Sequence, residues 1–235
     1  MKKLLVSILL ATTVMSFAAC GGNNAVDSKS DAAGNVQTEA AGVDEVKKSS
    51  DGTISKETLL AHEETPAEDF VCVESQDGGV AIDRYNGTDE IVVIPETIGG
   101  ETVVQINKWA FPSGCSVKAV KLADTVKKLD EMAFAQNENL ELVVCGSGLE
   151  TIGDSAFLQC ENLSEVELNE GLKTIEETAF SVCSALNSIY VPESVEEIGI
   201  AAFGYLSPDN FVLQGKAGSV AETYAQSEEI KFEAQ

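Results

Sequence analysis

Few side chains in this sequence are equipped for chemistry, and they are poorly grouped. There are six cysteines, one histidine and 39 acidic residues. No Cys-x-x-Cys pair occurs and His62 stands alone, so zinc ligation has almost no material to work with. The acidic doublets Glu176-Glu177, Glu196-Glu197 and Glu228-Glu229 have the charge to attract a cation, but no Asp-x-Asp-x-Asp-Gly calcium loop is present. They read as solvated faces. No glycine-rich phosphate loop follows a strand, and beyond His62 there is no histidine to serve as a general base. The expectation is a non-enzymatic protein with no cofactor and no metal.

The elements that carry these residues fall into three unlike segments of the 235-residue chain. Met1-Lys2-Lys3, a 16-residue mostly apolar run from Leu4 to Ala19, and Cys20 form the first. A basic start, a short apolar core and small residues before a cleavage point are the features of an export signal. Ser16-Phe17-Ala18-Ala19-Cys20-Gly21 resembles the lipobox of bacterial lipoproteins, with Phe17 in place of the usual Leu. That resemblance makes residues 1–20 a lipoprotein signal peptide and Cys20 the lipidated N-terminus of a protein held at the cell membrane or outer membrane, outside the cytoplasm. Residues 21–69 contain no aromatic residue and are rich in Ala, Ser, Gly, Asp and Glu, a composition that reads as a flexible, disordered tether. Within it Ser55 to Glu64 has the makings of a short helix capped by Ser55. The net charge of −24 disfavours nucleic acid, whose phosphates it would repel.

Residues 70–235 are organised by a repeat. Ala110-Phe111, Ala133-Phe134, Ala156-Phe157, Ala179-Phe180 and Ala202-Phe203 are spaced by 23 residues. Further columns keep the same spacing: Ile106, Leu129, Ile152, Ile175 and Ile198 before the Phe, and Val117, Leu140, Leu163 and Leu186 after it. One unit has an apolar face it cannot bury alone, whereas stacked units bury each column against its own copies. Leu163 to Leu168 alternates, with Val166 and Leu168 inward and Glu165 and Glu167 outward, as in a half-buried strand. Asp154 to Cys160, with Phe157 and Cys160 three apart, reads as a short helical turn capped by Asp154 or Ser155. Cys160 and Cys183 share a column in which Asn137 also stands and from which Cys115 is displaced by one residue. Parallel Cβ directions on stacked turns make poor disulfide geometry, so free buried thiols are expected.

Both ends of such a stack need covers. Phe70 to Val73 and Val80 to Tyr85, joined through Asp77-Gly78-Gly79, read as a β-hairpin. Ser219-Val220-Ala221-Glu222 has capping-box spacing and opens a helix to about Ser227, followed by a last strand at Ile230 to Phe232. Trp109 reads as a cap residue over the first coil, with an exposed recognition anchor as the other reading.

These units resemble the BspA-type leucine-rich repeats of bacterial surface proteins, whose pattern is L-x-x-I-x-[IL]-P followed by V-x-x-I-G-x-x-A-F-x-x-C. The resemblance is clearest from Leu163 to Cys183 and from Leu186 through Pro192 to Phe203. It implies an α/β repeat solenoid: a right-handed coil with short helical turns, an N-terminal hairpin cap and a C-terminal helix-strand cap. It also implies a surface protein engaged in adhesion. Function then belongs to the outward strand column, Lys121, Val144, Glu167 and Tyr190, flanked by Leu142, Glu165 and Ser188. Leu142, Val144 and Tyr190 are apolar or amphipathic where a solvated sheet prefers charge, which makes this face a candidate for binding a protein ligand, host extracellular matrix included, by a monomer. A structural spacer or assembly subunit of the envelope, and a glycan receptor, remain open as other readings.

Overall fold

The computed structural model describes residues 53–207 and 209–235. Signal residues 1–20, Cys20 and tether residues 21–52 lie outside the described residues. The described chain opens with helix α1 (Lys56–Ala61), followed after a single 3-10 turn by strands β1 (Phe70–Glu74) and β2 (Val80–Tyr85). Strand β3 (Ile91–Val93) comes next, then β4 (Thr97–Ile98) and β5 (Glu101–Ile106), a small hairpin that lengthens the first coil. Four coils follow, each with a longer and a two-residue strand: β6 (Ala119–Lys121) with β7 (Lys128–Leu129), and β8 (Leu142–Val144) with β9 (Thr151–Ile152). The other two carry β10 (Glu165–Glu167) with β11 (Thr174–Ile175), and β12 (Ser188–Val191) with β13 (Glu197–Ile198). Strand β14 (Val212–Gly215), helix α2 (Val220–Ser227) and strand β15 (Lys231–Ala234) end the chain.

The repeat spacing becomes hydrogen-bond register. Leu142 pairs in parallel with Ala119 and with Glu165, and Thr174 with Thr151 and Glu197, all 23 residues apart in sequence. Two walls result. One is the parallel sheet β3-β6-β8-β10, with the three-stranded sheet β12-β14-β15 taking over for the later coils. The other runs β1-β2-β5-β7-β9-β11-β13 and is started by the antiparallel β1–β2 hairpin. The longer strands follow a strict inward-outward alternation, so Val120, Val143, Val166, Ile189 and Leu213 enter the core.

Between the walls runs a stack of aromatic rings. Phe111, Phe134, Phe157, Phe180 and Phe203 are buried, with neighbouring ring centroids 4.4, 5.2, 5.1 and 5.4 Å apart. The rings become nearly parallel along the stack, from 16° between the first pair to 2° between the last. Parallel strands lie about 4.8 Å apart, so one ring per coil fills the gap only if every coil supplies a ring and its neighbour stays as small as Ala. The stack is closed by residues outside the repeat. Phe70 and Tyr85 extend it at the front, and Phe211 and Tyr224 cover Phe203 at the back. Trp109 is not the front cover: it is 37% exposed, and the rings over Phe111 are those of the hairpin.

The segment expected to be a helical turn is built differently. Asp154 to Cys160 forms successive tight turns, with Ser155 at φ 57° and Gln159 at φ 60°. The N–H groups of Ala156, Leu158 and Cys160 donate three residues back, to Gly153, Ser155 and Phe157. Those of Ser155, Phe157 and Gln159 donate to the carbonyls of Glu177, Ala179 and Ser181 on the next coil. A helix would keep all these bonds within one coil. Sending every second N–H to the neighbour makes a third inter-coil ladder, and its bonds offset the roughly 1–2 kcal/mol that each left-handed non-glycine residue costs. The bend after the strand is equally tight at Gly146, where an added Cβ would lie 2.2 Å from the carbonyl oxygen of Ala123.

The C-terminal cover follows its capping signal. Ser219 Oγ accepts from the Glu222 N–H, and Glu222 reaches back to accept from the Gly218 N–H at 2.6 Å. Helix α2 buries Ala221, Tyr224 and Ala225, and the Tyr224 hydroxyl accepts from the Phe203 N–H, which has no further coil to bond. Replacing Phe157 by Ala, in the middle of the stack, is expected to cost roughly 3–5 kcal/mol. Urea unfolding of the variant tests this, and an unshifted midpoint would rule out the stack as the source of cohesion.

Candidate functional site

The outward column of the longer strands divides into two halves of opposite character. On β3, β6 and β8 it consists of Ile91, Val93, Ala119, Leu142 and Val144, all buried, together with the partly buried Lys121. On β10 and β12 it consists of Glu165, Glu167, Ser188 and Tyr190, all exposed. Leu142 and Val144, expected as open binding residues, point away from the solenoid but do not reach solvent, being 2% and 7% exposed.

Their cover is the chain's own N-terminal segment. Residues 53–69, assigned by composition to the tether, are ordered. Ser55 caps α1 as its spacing predicts, accepting from the Thr58 N–H, and Leu59 and Ile54 bury against Ile91, Val93, Ala119, Leu142 and Val144. This small apolar cluster is separate from the main core. Further contacts fix the segment, among them a β-bridge at Ile54. Thr65 donates its N–H to the Val93 carbonyl, and its Oγ1 accepts from the Val93 N–H at 3.0 Å, which satisfies the free edge of β3. Lys56 forms an ion pair with Glu167 at the border between the covered and open halves. Burying two aliphatic side chains contributes roughly 1.5–3 kcal/mol each, set against the entropy of ordering the segment, and the exposed ion pair adds about 1 kcal/mol at most. A tether composition therefore becomes ordered only where its two large aliphatic side chains meet an apolar surface that lies far away in sequence.

The open half extends further than the repeat pattern indicates. Register places Val212 and Lys231 beside Ser188, and Gln214 and Glu233 beside Tyr190. These residues escape a search by period because the spacings there are 24 and 19 residues, not 23. The face around Tyr190, itself 37% exposed, thus carries carboxylates, a lysine, a hydroxyl and an amide on a rigid sheet.

Elsewhere the chemistry-bearing residues are dispersed. Among the described residues no three metal-capable side chains converge. His62 is exposed, with Nδ1 3.0 Å from the Glu63 carbonyl oxygen. Of the acidic doublets, Glu176 accepts from the Asp154 N–H and Glu196 pairs with Lys173 on the preceding coil. A surface depression of about 370 Å³ beside the hairpin is lined by Glu74, Ser75, Asp77, Gln105, Asn107 and Lys128 among others. Cys72, Cys115, Cys145, Cys160 and Cys183 are free thiols. Cys160 and Cys183 donate to the carbonyls of Phe134 and Phe157 on the preceding coil, so they serve the stack. Burial pushes the thiols of Cys145 and Cys160 up to about 12, and raises Cys183 as well.

Residues 95–227 match the model of the BspA type leucine rich repeat region, in six copies. Among solved structures, a leucine-rich repeat protein of T. pallidum is similar at 32% identity and a TM-score of 0.60, over 65% of this chain and 71% of that one. A leucine-rich repeat protein of Bacteroides capillosus is similar at 25% identity and a TM-score of 0.42, over 62% of this chain and 94% of that one. A leucine rich cell surface protein of Faecalibacterium prausnitzii is similar at 20% identity and a TM-score of 0.34, over 66% and 55% of the two chains. No curated protein matches.

The buried thiols make stability depend on alkaline pH. Folding raises their pKa, so their contribution is complete below the unfolded value of 9.0 and is lost as pH rises toward about 12. Each buried thiol is expected to remove about 1.4 kcal/mol per pH unit across that window. Thermal melts from pH 7 upward should be level and then fall, with Cys160→Ala falling less steeply. A profile that stays level above the unfolded thiol value would show that these groups do not titrate as buried thiols.

Proposed function

The chain belongs to the BspA-type leucine-rich repeat family, and from that premise we propose that it is a non-catalytic surface protein that binds a protein ligand through the open half of its outward strand face. The observation that carries this reading is Tyr190, a large amphipathic side chain standing 37% exposed on a sheet that has no packing use for it. Around it Glu165, Ser188, Gln214, Lys231 and Glu233 offer donors and acceptors of both signs at fixed positions. A buried aromatic anchor with a polar rim is how protein interfaces concentrate their affinity. A rigid wall of parallel strands holds such a rim without an ordering cost on binding. The ligand class is adhesive: extracellular-matrix protein or the surface of another cell.

The same reading places the protein at the cell surface on a lipid attached to Cys20, with the residues before α1 as spacer. The support is the layout of residues 1–20, since each buried acyl methylene contributes roughly 0.8 kcal/mol and a diacyl group holds where one chain does not.

Two experiments test this. Full-length protein immobilised against a panel of purified extracellular-matrix proteins should bind at least one, and Tyr190→Ala should weaken that binding by about tenfold, or 1.4 kcal/mol. Binding that survives Tyr190→Ala and Glu165→Lys together would put the site elsewhere. Separately, Cys20→Ala should move the protein from the detergent phase to the aqueous phase in detergent partitioning. If it does not, the lipid anchor is wrong.

A further inference from the structure

We propose that the surface beneath α1 is itself a protein-docking site, that α1 is its built-in occupant, and that α1 lifts away to admit a short amphipathic helix from a protein partner. The partner helix carries two apolar side chains and a lysine set to face Glu165 and Glu167. This rests on the reading of the strand face as a protein-binding surface.

The covered residues are not there for the solenoid. Ile91, Val93, Ala119, Leu142 and Val144 point away from the main core and pack only into the small cluster with Ile54 and Leu59. Coils with the same inward residues hold Glu165, Glu167, Ser188 and Tyr190 at the equivalent outward positions, so coiling does not call for apolar side chains there. An apolar patch with an acidic border is a recognition surface, and its complement is in view. Leu59 and Ile54 fill the patch, and Lys56 meets Glu167.

The occupant is held by a β-bridge at Ile54 and by a helix that is short. Helix α1 has six residues, too few to persist off a surface, and Leu59 is its one buried residue. His62, Glu63 and Glu64 form an exposed connector behind it. Beyond the connector, Thr65 stays clamped to both backbone groups of Val93. Lifting α1 on this connector therefore empties the patch and leaves the β3 edge satisfied. The charge of the border decides the partner. A helix bearing lysine reproduces the Lys56 contact, whereas an acidic helix meets Glu165, Glu167 and a chain of net charge −24.

The test uses the full chain and a fluorescent synthetic peptide of residues 53–66 as the probe. Leu59→Asp removes the side chain that seats α1 and changes no residue of the solenoid itself. The variant is expected to keep a single cooperative melting transition and to bind the peptide at least tenfold more tightly than the wild-type chain, whose patch is filled. A peptide carrying Lys56→Glu should bind the variant at least tenfold more weakly. The full-chain variant Lys56→Glu, which leaves every apolar contact in place, should also bind the unmodified peptide more tightly than wild type. Absence of peptide binding by both full-chain variants, or loss of the melting transition in both, overturns the proposal and makes α1 a fixed part of the fold. A concentration-dependent dimer of the wild-type chain in sedimentation would overturn the choice of partner, making a second copy the occupant. Matrix binding through Tyr190 that persists while peptide binding fails sinks the docking site alone. Peptide binding that persists while matrix binding fails sinks only the reading on which the proposal rests.

Discussion

The constraint on which this structure depends is the match of two spacings: the distance between parallel strands and the centroid separation of offset-stacked aromatic rings. Each coil advances by one strand, and each coil contributes one Phe whose centroid lies 4.4 to 5.4 Å from the next. Because three separate ladders of backbone bonds hold the coils in register, a side chain has no freedom to find another partner. It meets its own counterpart. Columns of Phe, Ala, Ile and Leu are the consequence, and so are buried thiols whose one task is to bond a carbonyl of the coil before.

The same register organises the surface. Lys108 pairs with Glu131, Lys127 with Glu150, Lys173 with Glu196, and Glu193 with Lys216, always one repeat apart. Lys118 pairs with Glu90 across the lengthened first coil. Five of the nine lysines among the described residues are thus used between coils. Individually these exposed pairs contribute little. Together they show that polar residues, like apolar ones, answer to the neighbouring coil before they answer to anything outside.

The outward strand column is where this discipline relaxes. It is not needed for coiling, and its residues change from aliphatic to charged along the stack. The aliphatic half draws the N-terminal segment down onto it, and the charged half, with Tyr190, stays open. Segment and surface are far apart in sequence and meet through two aliphatic side chains, one lysine and one threonine.

The sequence by itself determined the period, the identity of the inward columns, the hairpin at the front and the capped helix at the back. Each of these is a local or periodic signal: identical residues at identical spacing, alternation within a strand, a serine three residues before a glutamate. Tertiary structure alone decided three other things. The Asp154–Cys160 segment became a third ladder and not a helical turn, because alternate N–H groups found acceptors on the next coil that no single repeat reveals. The ends of the aromatic stack were closed by Tyr85 and Tyr224, not Trp109, since closure depends on which ring reaches the last Phe in space. And Leu142 and Val144 were covered by α1, because composition measures whether a segment can bury itself, not whether a distant surface stands ready to bury it.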